Sequence, residues 1–221
     1  MKTFSLLVSG AVLFFFGGCG SNDGSMPKPP TPAVSPTVAA PTQAASDAVT
    51  PTPDWPVSTS KDDARTATVG GLTFPKPATW TWQPTSMQFR TLEYQVPGQG
   101  DGSGAAELVF SLFLGSDGGP TNMNIDRWKN QFRTETGEAA EATEESGEAD
   151  GMTITLISAA GSYKSMGAPA PRAGMGHISA IIEAPGRRVF LRLVGPEATV
   201  EAAKEAFREM VANATIAVPS Q

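Results

Sequence analysis

Large apolar side chains are distributed unevenly along this 221-residue chain, and this limits which part of it can fold. The stretch from about Thr66 to Val218 holds three of the four Trp, both Tyr and seven of the 11 Phe. Residues 20–65 instead hold nine of the 19 Pro and almost no large apolar side chain. A segment of that composition does not bury enough surface to offset its ordering entropy. The sequence therefore predicts a single folded domain over 66–218, preceded by a disordered, Pro/Thr/Ala-rich tether over 19–65.

A second apolar stretch lies at the start of the chain. Lys2 precedes residues 4–16 (FSLLVSGAVLFFF), which are too few to span a bilayer as a helix and read as a secretory signal. Gly17 and Gly18 then precede Cys19, the single cysteine. This pattern resembles the lipobox of bacterial lipoproteins, in which the cysteine is lipidated on sulfur and becomes the first residue of the mature chain.

The lipobox resemblance implies an address for the protein. Residues 1–18 would be the lipoprotein signal peptide, and acylated Cys19 would hold the chain on the extracytoplasmic side of a bacterial membrane, in the cell envelope. Two or more acyl chains anchor a protein almost irreversibly, because each buried CH₂ contributes about 0.8 kcal/mol. A plain cleaved signal with an incidental cysteine and an uncleaved membrane anchor are the alternatives.

Charge and composition exclude several classes of function. The 16 Lys and Arg face 22 Asp and Glu, which leaves no cationic surplus for a nucleic-acid backbone. One Cys and one His exclude a disulfide within the chain and the usual Cys/His zinc sites. We therefore expect no nucleic-acid partner, no cofactor and no metal site.

Hydrophobic patterns predict strands interrupted by two helices. Ala105–Leu114 has apolar residues at both odd and even positions, which predicts a strand covered on both faces. An apolar stripe predicts a first helix over 122–134, capped by Asn122 or Asn124. Gly195-Pro196-Glu197 opens a last helix. The residues expected on its buried face are Val200, Ala203, Phe207, Met210 and Val211.

Two strands, Met175–Ala184 and Arg187–Val194, are expected to form a hairpin about Pro185-Gly186. The register that keeps apolar residues opposite each other also sets Glu183 opposite Arg188, whereas a slip by one residue would oppose Arg188 to an apolar side chain. Both faces of this hairpin are largely apolar, so we expect helices to cover both.

The order of elements predicts the fold class. Strands and helices do not alternate regularly, which argues against a doubly wound parallel sheet and favours an α+β fold, an antiparallel sheet flanked by helices in an α/β/α sandwich. Gly118-Gly119, residues 124–128 (NIDRW) with Gln131-Phe132, and residues 188–196 (RVFLRLVGP) resemble a family of secreted bacterial proteins. The fold of that family is similar to PsbP, an extrinsic photosystem protein, and to the Ran-binding nuclear import factor. The resemblance implies a PsbP-like fold and no activity.

Few residues point to chemistry. His177 is the single His and no Gly-x-Ser-x-Gly elbow occurs, so we expect His177 to be a partly exposed strand-end residue. The glycines of residues 98–104 lack the spacing of a nucleotide-binding turn and predict a mobile loop. Seven carboxylates in residues 135–150 lack a calcium-loop pattern and predict a solvated acidic edge. Trp80, Trp82 and Trp128 are expected in the core, with an aromatic platform at Trp80 and Trp82 as the alternative.

The sequence thus predicts no catalytic residue and no enzyme. It favours a membrane-anchored envelope lipoprotein whose domain binds or scaffolds a partner, with membrane lipid bound through Cys19 and an envelope protein as the candidate partner. The alternative is a small-ligand carrier or a hydrolase that uses a cleft between sheet and helix. A concave pocket lined by Trp80, Trp82 or Tyr163 would favour ligand binding.

Overall fold

The computed structural model describes residues 54–98 and 104–217, which form eleven strands and two helices. In chain order these are β1 (Thr66–Val69), β2 (Leu72–Pro75), β3 (Thr81–Gln83), β4 (Leu92–Val96), β5 (Ala106–Leu114), α1 (Thr121–Lys129), β6 (Phe132–Arg133), β7 (Ala142–Ala149), β8 (Met152–Tyr163), β9 (Arg172–Ala184), β10 (Arg187–Pro196), α2 (Glu197–Ala212) and β11 (Thr215–Ile216).

The strands form two antiparallel sheets. The large sheet has the order β3-β4-β5-β10-β9-β8-β6, and β7 pairs with β8 outside that path. The small sheet has the order β1-β2-β11. Every strand pairing in the described residues is antiparallel. The predicted α+β class is confirmed.

Helices lie on both faces of the large sheet. Helix α2 packs on β9 and β10, and with the small sheet it forms the main core against one face. Helix α1 packs on the opposite face, where Ile125 and Trp128 contact Ile157, Ile181 and Phe190. We call these the α2 face and the α1 face. The expected α/β/α sandwich is therefore present, with its central hairpin under a helix on each side.

The central hairpin has the register expected from its sequence. Strands β9 and β10 pair Glu183 with Arg188 and Ala180 with Leu191. Leu191 is buried on the α2 face, whereas Phe190 is buried under α1. The alternation of strand side chains carries both apolar sets into separate cores, so a slip by one residue would misplace both.

Helix α1 differs from its predicted bounds at both ends. It ends at Lys129, because Phe132 leaves the helix to form β6 and pairs with Tyr163. The N-cap residue is Pro120 and makes no side-chain cap. Asn124, one of the two expected caps, instead lies inside the helix and donates from Nδ2 to the carbonyl oxygens of Gly118 and Pro120 at 2.8 and 2.9 Å. It therefore ties the residues that precede the helix to its first turn, but it does not cap the free backbone N–H groups there.

Helix α2 agrees with the sequence pattern. All five residues expected on its apolar face are buried. Its N-cap is Pro196, and Thr199 Oγ1 in the first turn donates to the carbonyl oxygen of Gly104 at 2.8 Å. This bond ties the start of the helix to the residue that leads into β5.

Residues 54–65, which the sequence assigns to the tether, lie against the domain. The ring centroid of Trp55 is 4.6 Å from Cζ of Arg187. Ser58 exchanges hydrogen bonds with the backbone of Thr68, and its carbonyl oxygen accepts from Nε1 of Trp82 at 3.1 Å. The contacts of the folded domain therefore extend to Trp55, on the N-terminal side of the expected start at Thr66. The division at residue 65 otherwise stays a prediction, and residues 1–53 lie outside the described part of the chain.

Candidate functional site

The α1 face of the large sheet is only partly covered. Helix α1 has nine residues, about 13 Å of helix, and packs over β8, β9 and β10. The same face of β4 and β5 is open and forms the floor of a cleft. The expectation that β5 is covered on both faces is therefore wrong: its Leu108 and Phe110 are buried on the α2 face, but Val109 and Ser111 line the cleft.

Strand alternation makes this open face polar. Leu92 and Tyr94 of β4 are buried on the α2 face, so the residue between them, Glu93, points to the opposite side. Register then sets a row of side chains across four strands, namely Gln83, Glu93, Val109 and Arg192. A parallel row is formed by Gln95, Glu107 and Val194. Two charged residues of opposite sign thus face the cleft from the first row alone.

The cleft has a volume of about 750 Å³, within the usual range for ligand sites of about 300–1,000 Å³. Its floor is the two rows just described. One wall is the segment between β3 and β4, which includes Phe89 and Arg90, and the other wall is Tyr163 with Ser165 and Arg172. Of the three aromatic residues that the sequence offered as signs of a ligand pocket, Trp80, Trp82 and Tyr163, only Tyr163 lines this cleft.

Arg90 and two carboxylates form an ion cluster in one wall. Nη1 of Arg90 lies 3.2 Å from Oε2 of Glu93 and 2.7 Å from Oε1 of Glu107. Burial disfavours the charged form of Arg90, but the hydrogen bonds and charges of both carboxylates outweigh it and raise its pKa. Glu93 is 4% exposed and also accepts from the backbone N–H of Ser86 at 3.0 Å. The cluster therefore holds the 84–90 segment on the sheet. Both carboxylates of the cleft are ion-paired within it.

Arg192 lies where the cleft meets helix α1. Its Nη2 donates to Oε1 of Gln131 at 2.8 Å, and its Cζ is 5.3 Å from the ring centroid of Trp128. Among the described residues no carboxylate forms an ion pair with it. Burial lowers its pKa, the charges of Arg127 and Arg90 add to that effect, and Tyr163 opposes it as a hydrogen-bond partner. Its Nε is buried and finds no hydrogen-bond partner within residues 54–98 and 104–217.

A bulge positions Tyr163 beside Arg192. The pairing of β8 with β9 shifts between Gly161 and Tyr163, and Gly161 has φ +141°. A Cβ at residue 161 would lie 2.5 Å from the carbonyl oxygen of Arg133, so only glycine fits this crossing of β8 and β6. After the bulge the ring of Tyr163 packs on Phe132 at a centroid distance of 5.0 Å.

Phe89 and Arg172 lie exposed at the mouth of the cleft. Phe89 is 72% exposed and has φ +68°, a backbone conformation that residues other than Gly, Asn and Asp rarely adopt. Arg172 is exposed and makes no ion pair within the described residues. The mouth of the cleft therefore offers an aromatic ring and a cation to solvent.

His177 is not the partly exposed strand-end residue that the sequence suggested. It lies inside β9, is 1% exposed and stacks on the Phe132 ring at a centroid distance of 4.5 Å. Burial and, to a lesser extent, the charge of Arg192 lower its pKa to about 3. Its Nδ1 is 3.1 Å from Oγ of Ser179, which is also fully buried. Since no surface reaches either side chain, this pair does not present a nucleophile to a substrate.

The three tryptophans have structural environments. Trp80 and Trp82 belong to the core of the α2 face, and neither lines the cleft, so no aromatic platform is formed there. Trp128 of α1 is buried between the helix and the sheet, where Phe190 meets it edge-on at 5.8 Å. The expectation of tryptophans in the core is confirmed for all three.

The acidic run is an exposed edge strand. Its second half forms β7, of which all but the two end residues are exposed. Nζ of Lys129 lies 2.8 Å from Oε2 of Glu144, and Arg208 pairs with Glu145. Within residues 54–98 and 104–217 no group of three or more His, Cys, Asp or Glu side chains is arranged to hold a metal ion.

Several residues and segments named from the sequence lie outside the described parts of the chain. These are Cys19 with the rest of residues 1–53, residues 99–103 of the glycine-rich loop, and Val218. Of the two helices described, neither combines the length and the apolar character needed to cross a membrane.

The sequence offered a cleft between sheet and helix as the alternative and named Tyr163 for it, but Arg192 and Arg172 were not recognised. The available signal was Arg192, a charged residue in the middle of the apolar run VFLRLV, on the strand face shared with Phe190. The hairpin register placed it opposite Ser179 but did not show that the cover of this face ends there. The length of α1, which sets that limit, was overestimated from the pattern.

Fold and site together define an α+β domain whose sheet carries an arginine-lined cleft beside a short helix. No protein-family model and no curated protein matches the chain. Solved structures that match include LpqN of Mycobacterium tuberculosis, described as involved in cell envelope biogenesis, at 12% identity and TM-score 0.46, over 65% of this chain and 82% of that one.

Two further matches have similar values. Cyanobacterial PsbP from Synechocystis matches at 11% identity and TM-score 0.45, over 66% of this chain and 86% of that chain. A Pseudomonas aeruginosa protein of unknown function matches at 14% identity and TM-score 0.38, over 71% and 96%. PsbP is one of the two proteins whose fold is similar to that of the family that the sequence motifs resemble. These similarities concern the course of the chain, and no ligand, activity or partner is transferred from them.

Proposed function

We propose that this protein is an envelope lipoprotein, held on the extracytoplasmic side of a bacterial membrane by acylated Cys19, whose folded domain is a non-catalytic binding module. The proposal of a membrane anchor rests on the lipobox-like residues 17–19 and on the Pro-rich segment that separates them from the folded domain. The binding part rests on one observation, the cleft of about 750 Å³ on the open part of the α1 face.

The cleft favours binding over catalysis. Hydrolysis requires a nucleophile and a base that meet at a place a substrate can reach. The Ser179 and His177 side chains do meet, but both are fully buried. The cleft itself presents arginines, a tyrosine and two carboxylates that are both ion-paired with Arg90.

A small-ligand carrier is the second candidate, and a specific observation favours it. Tyr163 lines the cleft, the walls rise on two sides, and the size suits a small molecule. A carrier and a scaffold share the anchor and differ in what occupies the cleft.

The anchor is tested by mass spectrometry of the mature protein from its native host. We expect Cys19 at the N-terminus with acyl chains attached, and Cys19→Ala should release the domain or trap the precursor. An unmodified Cys19, or an intact Met1 in the mature protein, would contradict the anchor.

The binding role is tested by placing a photo-crosslinking residue at Gln95, which is exposed at the cleft, and at Glu205, which is exposed on α2 as the matched control. We expect adducts from Gln95 and few from Glu205 when living cells are irradiated. Equal labelling at both positions would remove the cleft as the binding place.

A further inference from the structure

We propose that the cleft binds a small soluble molecule through a carboxylate or phosphate group, with Arg192 as its main contact and Arg172 and Tyr163 as supporting contacts. This inference rests on the proposed function, because it takes the cleft as the binding place and names the chemistry of what occupies it.

The first argument is the charge balance within the cleft. The chain as a whole is acidic, with a formal net charge of −6. In the cleft, however, three arginines face two carboxylates, and both carboxylates are ion-paired with Arg90. Arg192 and Arg172 remain without an acidic partner among the described residues. The cleft is therefore a local positive site on an otherwise negative protein, which attracts anions.

The second argument is the preorganisation of Arg192. Gln131 holds one end of its guanidinium at 2.8 Å, and the Trp128 ring lies beside it. A guanidinium has five N–H donors; Gln131 accepts one and Nε is buried, so up to three on Nη1 and Nη2 remain for Tyr163 and a ligand. A side chain that is already fixed loses little entropy when it forms the two parallel bonds that carboxylates and phosphates accept.

The third argument is the cost of the present arrangement. A half-buried guanidinium without a counter-ion loses hydration, and its Nε has no partner. Two other arginines, Arg127 and Arg90, raise the electrostatic cost further. An anion in the cleft would offset the electrostatic cost, whereas a purely structural arginine would gain from a carboxylate on the protein, which the described residues do not supply.

The cleft also has room for the body of the ligand. Val109, Val194 and Met175 give its floor apolar patches, and Phe89 stands at the mouth. A ligand with an anionic end near Arg192 and a compact apolar body over these side chains satisfies both parts of the surface.

The test uses the mature chain in a neutral detergent, titrated at low salt with phenyl phosphate, benzoate and inorganic phosphate, with benzamide as the neutral match to benzoate. We expect phenyl phosphate and benzoate to bind and benzamide to bind at least tenfold more weakly. Loss of a charge-assisted contact of about 1.5–3 kcal/mol corresponds to a weakening of about 10- to 100-fold. Binding of benzamide as tight as that of benzoate would overturn the proposal.

Variants assign the contacts. Arg192→Lys should weaken anion binding at least tenfold. Arg172→Ala, at an exposed position, should weaken it about threefold without shifting the unfolding transition. Tyr163→Phe, which keeps the ring against Phe132, is the second probe if Arg192→Lys does not fold. Arg65→Ala removes one exposed charge away from the cleft and should leave anion affinity unchanged.

Two results would overturn the inference. One is anion affinity that Arg172→Ala and Tyr163→Phe leave unchanged. The other is binding to phosphatidylglycerol vesicles with no binding of the soluble anions, which would indicate a membrane surface. If crosslinks form at Gln95 while no anion binds, the proposed binding function stands and only its anionic chemistry fails.

Discussion

The two faces of the large sheet have different chemistry because they have different cover. On the α2 face, helix α2 and the small sheet cover the strands from β4 to β9, and the side chains there are apolar on every strand. On the α1 face, cover ends near Phe190, and beyond it the positions carry Glu93, Glu107 and Arg192. Where no second layer of structure packs on a strand, its side chains on that side can be polar. The missing layer over this part of the α1 face leaves the cleft.

The sharpest way to test this contrast is to remove the same kind of group from each face. Leu191 is fully buried on the α2 face, so Leu191→Ala should cost about 2–5 kcal/mol in the free energy of unfolding. Val109→Ala, on the half-buried cleft floor, is the matched control and should cost about 1 kcal/mol. Urea denaturation measures both. Because Leu191→Ala removes three carbon atoms and Val109→Ala removes two, equal losses per carbon atom removed would mean that the two faces are equally packed.

The covered part of the α1 face should show itself in the pH dependence of stability. The native chain keeps His177 neutral down to about pH 3, whereas the unfolded chain protonates it below about pH 6.5. Below pH 6.5 the unfolded state therefore binds a proton that the native state does not. The contribution of neutral His177 to the free energy of unfolding is fully present above pH 6.5 and is lost as the pH is lowered. Between pH 7 and pH 5 we expect a loss of about 2 kcal/mol.

His177→Asn provides the control for this pH effect, because His177 is the single histidine. Denaturation curves of the variant should lose the slope between pH 7 and pH 5. A slope that survives the substitution would assign the pH effect to other groups.

The ion cluster of Arg90, Glu93 and Glu107 should stabilise the cleft wall formed by the 84–90 segment more than it stabilises the sheet. Glu93→Gln keeps the shape of the side chain but removes the charge that faces Arg90, so we expect a loss of about 1–2 kcal/mol. Glu107→Gln changes the more exposed partner and should cost less than about 1 kcal/mol. The same denaturation assay separates them, and a larger loss for Glu107→Gln would reverse their assigned importance.

The smallest effect is expected at the turn of the central hairpin. Oε1 of Glu183 lies 3.4 Å from Nε of Arg188 and accepts a hydrogen bond from Thr121 Oγ1 at 2.6 Å. Because the carboxylate is exposed, Glu183→Ala should cost about 0.2–1 kcal/mol. A loss comparable to that of Leu191→Ala would show that this pair does more than mark the register.

The sequence predicted those parts of the fold that depend on local alternation. The hairpin register followed from Ala180 opposite Leu191, and the buried face of α2 followed from residues three and four apart. Both are properties of one or two segments. The end of α1 depends instead on β8, since Phe132 exchanges a further helical turn for a place beside Tyr163. That competition is invisible in the pattern of residues 122–134.

The candidate site was less predictable for the same reason. Arg192, Arg90 and Tyr163 are far apart in the chain and meet only through strand order and the bulge at Gly161. His177 was misassigned because Phe132, which buries it, belongs to an element that the helix pattern had absorbed. Alternation assigns a side chain to a face, but the element that covers that face comes from elsewhere in the chain.

The contacts of residues 54–65 bear on how the domain would be presented at a membrane. Ser58 reaches the sheet through Trp82, which belongs to the α2 face, whereas the cleft opens on the other side. The thickness of the sheet thus separates the point of attachment from the mouth of the cleft. In the proposed membrane-anchored state, the cleft would therefore be open to a solute while residues 54–65 stay in place on the α2 face.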